Sequence, residues 1–142
     1  MDIHIKFSKS TPKSLDAIIG LTDKKKSFPA ALKDLDKDVK NYISEALKGS
    51  SSFEGKAKQT LVLPLPKNTH AKYVILLGMG ETKDLTPLAA EKAGGALYKT
   101  LESLKLLNAA LYLDLKGKMD EEVLAARLAH GLRLRSYSFD KY

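Results

Sequence analysis

The run Lys72–Gly80, KYVILLGMG, ends in Gly78-Met79-Gly80. Backbone N–H groups in such a strand-to-helix turn can hold a phosphate. The nucleotide signature is incomplete, however. Lys83 stands where G-x-G-x-x-G needs its third glycine, there is no G-K-[ST], and the helix signal at Thr86-Pro87 comes several residues late. A structural turn is therefore expected. His4, His70 and His130 are isolated, without H-x-x-x-H or H-E-x-x-H spacing, and read as surface or edge residues. Asp34, Asp36 and Asp38 resemble a carboxylate cluster. On a helix, though, i, i+2 and i+4 spread around the cylinder and do not converge on one ion, so a solvated face is expected. There is no G-x-S-x-G, and the absence of cysteine excludes a thiol nucleophile, a disulfide and a thiolate metal site. Read from these residues, no position is assigned as catalytic, cofactor-binding or metal-ligating.

Charge gives no focused partner signal. The net charge is +7, with twelve lysines against eight acids in residues 1–60 and nine lysines plus three arginines against nine acids in 61–142. A nucleic-acid module usually gathers its cations and interleaves aromatics. Only Lys24-Lys25-Lys26 forms a run, expected as a solvated loop, with phosphate contact as the minority reading. The start MDIHIKF lacks a basic segment followed by a long apolar core, and no apolar run approaches the ~20 residues of a membrane span. A cytoplasmic protein with no membrane contact is expected.

The elements that must position these residues follow from periodicity. Asp2–Phe7 alternates Ile3, Ile5 and Phe7 against polar neighbours, as a half-buried edge strand does. Lys9–Ser14 reads as a loop and Ala17–Leu21 as a second strand. Ser27–Leu47 reads as one amphipathic helix, with Pro29 in its first turn and Gly49 as its stop. Thr60–Leu63 is a strand stopped by Pro64 and Pro66, and Pro66–Ala71 is a turn into the next strand. Tyr73–Leu77 is apolar without alternation, the pattern of a strand covered on both faces at the sheet centre. The short link between these two strands predicts an antiparallel pair, hence a mixed sheet. Thr86 and Pro87 open a helix to about Lys105. Gly94 and Gly95 inside it cost roughly 1 kcal/mol each against alanine, which predicts close approach to the sheet. Ala109–Leu115 is a strand, and Asp120-Glu121-Glu122 opens a last helix with Leu124, Leu128 and Leu132 on its buried face. The sum is β-β-α-β-β-α-β-α, a single three-layer α/β domain over residues 1–142 with a mixed sheet flanked by helices.

The last helix and its tail, EEVLAARLAHGLRLRSYSFDKY, resemble the end of the N-terminal domain of the leucine (cytosol) aminopeptidase family. The shared features are an alanine/leucine face, Gly131, and the tail Tyr137-Ser138-Phe139-Asp140-Lys141-Tyr142. Val74–Gly80 with Leu85-Thr86-Pro87 and Ala93-Gly94-Gly95-Ala96 is similar to the same domain, as is Gly55-Lys56 ahead of Thr60–Pro64.

This resemblance implies a macro-domain-like fold placed before a separate catalytic domain. In the family that domain holds two divalent metals, zinc or manganese, through carboxylates and a lysine. It removes N-terminal residues from peptides with a metal-activated water. The family's Asn-Thr-Asp-Ala-Glu-Gly-Arg signature occurs nowhere here, so no catalytic residue or metal ligand carries over. The chain is expected to be an excised assembly or regulatory domain whose partners are its own C-terminal catalytic domain and further copies in a hexamer. Two alternatives of other classes are a macro-type module binding ADP-ribose or a related nucleotide, and a DNA-binding surface using Lys24–Lys26 and the arginines.

Overall fold

The computed structural model describes residues 3–7, 15–67, 69, 71–113, 115 and 119–140. Its strands are β1 (His4–Phe7), β2 (Leu15–Thr22), β3 (Thr60–Pro64), β4 (Ala71–Gly78) and β5 (Asn108–Tyr112). Its helices are α1 (Lys33–Asp38), α2 (Tyr42–Gly49), α3 (Pro87–Ser103) and α4 (Glu121–Asp140), with short 3-10 turns at Ala30–Leu32 and Thr82–Asp84. The strands form one sheet in the order β1-β5-β2-β4-β3. All neighbours are parallel except β3 and β4, where Thr60 faces Leu77 and Pro64 faces Tyr73 in antiparallel register. The mixed sheet is as the sequence predicts. β2 takes its middle place, and β4 lies next to it.

Both strands are covered on two faces. Ala17, Ile19 and Leu21 of β2 and Ile75 and Leu77 of β4 point toward α3 and α4, into a core with Leu97, Leu101 and Leu128. Ile18, Val74 and Leu76 point the other way, against Leu32, Ile43, Leu47 and Phe53. This explains the unbroken apolar run: successive side chains enter opposite cores. The result is the three-layer α/β arrangement expected, a mixed sheet with helices on both faces.

The segment 27–47 is not one helix. Lys40 and Asn41 take positive φ values of 56° and 64°, which end α1 and start α2 at a new angle. The cause is Asp36. It is only 6% exposed, and one carboxylate oxygen accepts from the amides of Ile43 (2.9 Å) and Ser44 (3.0 Å). A charged acceptor at the amide end of α2 satisfies donors no helical carbonyl can reach. Asp36 is therefore a buried cap rather than part of a solvated face, while Asp34 and Asp38 are exposed. Pro29 precedes the 3-10 turn instead of entering the helix, and Gly49 is the last residue of α2 rather than a left-handed stop.

The glycines of α3 also serve a different contact from the one expected. A Cβ on Gly94 would collide with the backbone of Leu128, and one on Gly131 with the backbone of Glu91. The close approach is helix to helix, α3 to α4, and not helix to sheet. Thr86 caps α3 as predicted, accepting from the Ala89 amide at 3.1 Å, with Pro87 as its first residue. β5 ends at Tyr112, short of Leu115. The expected loop at Lys9–Ser14 and the Asp2 start of the first strand lie outside the described residues, as do parts of the 66–71 turn.

At the opposite sheet end from the glycine turn, Asp16 fastens β5 to β2. Its carboxylate accepts from the amides of Leu107 (2.9 Å) and Asn108 (3.1 Å) and lies 3.6 Å from the Lys72 ammonium. Partial burial pushes its pKa up, but the two amide donors and Lys72 outweigh this and hold it below the usual value.

Two outcomes test this packing. Gly131→Ala should destabilise the fold by about 2 kcal/mol or more, because a backbone must move. Gly95→Ala, whose Cβ meets nothing closer than 3.8 Å, should be neutral or stabilising by up to about 1 kcal/mol. Urea unfolding of both variants checks the contrast. Asp16→Asn should cost about 1 kcal/mol at neutral pH. Because the folded pKa is depressed, the native carboxylate's contribution is complete above the unfolded value and fades as pH falls through the folded one. The gap between the two proteins should therefore close below about pH 4.

Candidate functional site

Three loops meet beyond the C-terminal ends of β2 and β4, where ligands gather in open α/β sheets. They are Asp23–Lys26, Gly55–Lys58 and Gly78–Lys83. The glycine turn is filled from within. Gly78 donates its amide to the Gln59 carbonyl (2.7 Å), Met79 to Thr22 (2.9 Å) and Gly80 to Gly55 (3.0 Å). A Cβ on Gly78 would strike the backbone of Gly55 and Lys56, and Gly55 and Gly80 hold φ values of +73° and +77°. The turn is thus a backbone splice between two loops, and its three amides are already committed to carbonyls. This is the structural turn expected from the sequence.

The lysine run divides three ways. Lys26 turns inward, and its ammonium donates to the carbonyls of Leu47 (3.3 Å) and Ser50 (2.7 Å), closing the C-terminal end of α2. That placement uses the charge where the helix dipole favours a cation. Lys24 lies 3.9 Å from Glu81, which also pairs with Lys83 at 3.4 Å. Hydrogen bonding to Lys83, and then its charge, lowers the Glu81 pKa. Lys25 is exposed beside these, in a cleft of about 430 Å³ lined also by Asp23, Thr82 and Lys83. Asp23 is occupied, accepting from the Ser27 amide and hydroxyl at 3.0 Å each. The expected solvated loop holds for Lys24 and Lys25 and fails for Lys26.

A second concavity, of about 590 Å³, lies on the outer side of α3 and α4. Gly95, Ala96 and Gly131 form part of its lining, with Lys58, Lys92 and Lys99 around it. Glu91 marks its margin. This carboxylate, 19% exposed, lies 3.6 Å from Arg127 and 3.4 Å from His130. The i, i+3 spacing of Arg127 and His130 on α4 lets one acid on α3 meet both. Nothing local in the sequence points to Glu91, since its partners are 36 and 39 positions away.

Of the three histidines, His4 is exposed on the edge strand β1 and His130 is engaged by Glu91. His70 lies outside the described residues. Among the described residues no three histidine or acidic side chains come together as a group able to hold a metal ion. The least exposed acids serve amides or cations instead: Asp36 the start of α2, Asp16 the start of β5, Glu91 the face of α4. These residues do not fit a two-metal centre. Among the described residues, no helix is long and apolar enough to cross a membrane.

Comparison with known proteins agrees with this architecture. The structure is similar to the macrodomain of Mycobacterium tuberculosis DarG, with a TM-score of 0.66 at 13% identity over 93% of this chain and 91% of that one. It is also similar to part of the bottromycin maturation enzyme BotP, solved in complex with Mn, with a TM-score of 0.63 at 15% identity. That match covers 91% of this chain and 24% of BotP. At such identities the likeness concerns the fold. In sequence, the chain is 28% identical over 144 residues to a probable cytosol aminopeptidase of Rickettsia bellii, covering 99% of this chain and 28% of the relative. The chain thus spans little more than a quarter of the length of the curated relatives it matches. Residues 18–142 match the profile of the cytosol aminopeptidase family's N-terminal domain. The chain belongs to the cytosol aminopeptidase family, as the N-terminal domain of that family.

Proposed function

We propose that this chain is the non-catalytic assembly or regulatory domain of a metal-dependent leucyl aminopeptidase, which removes N-terminal residues from peptides in the cytoplasm. One observation carries this reading. The chain matches an N-terminal domain over nearly its whole length, while its relatives are more than three times as long. In the proposed division of labour, a following catalytic domain holds two zinc or manganese ions, and this domain supports its packing and the joining of copies into a hexamer. Asp16, Asp36 and Glu91 are compatible with that division, being engaged in capping and an ion pair. Two-metal hydrolysis needs acidic ligands that converge, at a separation of a few ångströms between ions.

The macro-type nucleotide reading has the fold likeness in its favour. Against it stands the glycine turn, whose amides already donate to Gln59, Thr22 and Gly55. The DNA reading loses Lys26 to the end of α2, so the run offers two cations rather than three.

The purified 142-residue chain should not hydrolyse leucyl-p-nitroanilide with manganese or zinc, whereas the longer parent should. Metal-dependent turnover by the short chain would refute the proposed division. Calorimetry with ADP-ribose should give no binding heat at millimolar ligand, and a saturable signal would favour the nucleotide reading instead.

A further inference from the structure

The concavity of about 590 Å³ outside α3 and α4 has a floor almost without side chains. Lys92, Gly95, Ala96 and Lys99 stand at i, i+3, i+4 and i+7, which puts them on one face of α3. The two lysines are two turns apart, about 10 Å along the axis, with only the glycine and the alanine between them on that face. A Cβ on Gly95 would meet nothing closer than the Gly131 carbonyl oxygen, at 3.8 Å. The hollow thus exists because side chains are missing, and its size falls within the range of small-molecule sites.

Three elements hold its shape. α3 and α4 are set against each other by the Gly94 and Gly131 contacts. Lys58 reaches the hollow from the loop before β3, where its φ is +73° and its amide donates to the Gly78 carbonyl at 3.1 Å. Two residues later the Thr60 and Thr100 hydroxyls share a hydrogen bond of 3.2 Å, which ties that strand to α3. The lysine stems can swing, but their anchor points are fixed.

Charge selects the occupant. Lys58, Lys92, Lys99 and Arg135 line the hollow, and Glu91 is the only acid in its lining. That acid is already faced by Arg127 and His130. The three lysines are exposed, and among the described residues no carboxylate pairs with them. Such a group of ammonium charges favours a compact ligand carrying several negative charges at once. A row of linked phosphates meets Lys92 and Lys99 together, with Lys58 on a third side. We propose that this concavity binds an oligophosphate with an unesterified terminal phosphate, held by Lys58, Lys92 and Lys99 over the Gly95 floor. ADP-ribose does not meet that description, because both its phosphates are esterified and carry one charge each. The site lies apart from the glycine turn and does not depend on the peptidase reading.

Titration calorimetry of the 142-residue chain at low salt should show saturable binding of inorganic tripolyphosphate, tighter than pyrophosphate and weakening as salt rises. Lys58→Gln, Lys92→Gln and Lys99→Gln should each weaken tripolyphosphate by about fivefold. Lys83→Gln, which removes an exposed charge outside the hollow, should leave the affinity unchanged. Gly95→Leu alters no charge and faces open space, so it should keep the native circular dichroism yet weaken binding by about tenfold by filling the floor. Absence of tripolyphosphate binding, equal weakening by Lys83→Gln, or full affinity in Gly95→Leu overturns the inference. Binding of duplex DNA without binding of tripolyphosphate overturns it as well. The peptidase assay decides the division of labour separately from all of these.

Discussion

At Gly94 and Gly131 two helices touch backbone to backbone, and the arrangement on that side of the sheet follows from this contact. Each glycine leaves room for the main chain of the opposite helix, at Leu128 and Glu91 respectively. Such closeness fixes α4 both in height and in rotation about its own axis. With the rotation fixed, Leu124 and Leu128 must enter the core under α3, and Val123, Leu134 and Tyr137 must look outward. The same approach brings the Glu91 carboxylate within reach of Arg127 and His130. The helical cost of a glycine, about 1 kcal/mol against alanine, is thus offset by a packing geometry that a larger residue would forbid.

The other side of the molecule is organised by polar groups that close chain ends. Asp36 meets the first amides of α2 and Lys26 its last carbonyls, so a helix of eight residues is satisfied at both termini from outside itself. A helix that short has little stability of its own. Its place depends on these two charges and on Ile43 and Leu47 being buried against the sheet. The glycine loops behave alike: Gly55, Gly78 and Gly80 bind backbone to backbone, and the site where a nucleotide-binding turn would present free amides is a splice.

Much of this was legible in the sequence because it depends on neighbours close along the chain. The unbroken apolar run of β4, the Thr86-Pro87 start of α3, the antiparallel turn before Ala71 and the leucine face of α4 each announce themselves within a dozen residues. What stayed hidden depends on distant partners. Apolar spacing continues smoothly through Leu35, Val39 and Tyr42, so nothing local reveals that Asp36 draws the chain into a left-handed corner at Lys40 and Asn41. The glycine pair signals close approach without saying to what, and its partner surface on α4 is more than thirty residues later. Lys26 looks like its two neighbours in the run, and only the fold distinguishes it. The absence of converging ligands among the described residues left the functional reading to the resemblance carried by the tail and the glycine motifs.

The antiparallel strand β3 has a consequence for how this fold can be joined to others. Gln59 and Leu65 bond toward β4, so by alternation Pro64 turns its main chain outward, where it has no hydrogen to give. Pro66 follows two residues later. A stray extended segment therefore finds no continuous ladder along that rim. The sheet is thereby closed on that side against fibril-like growth by added strands.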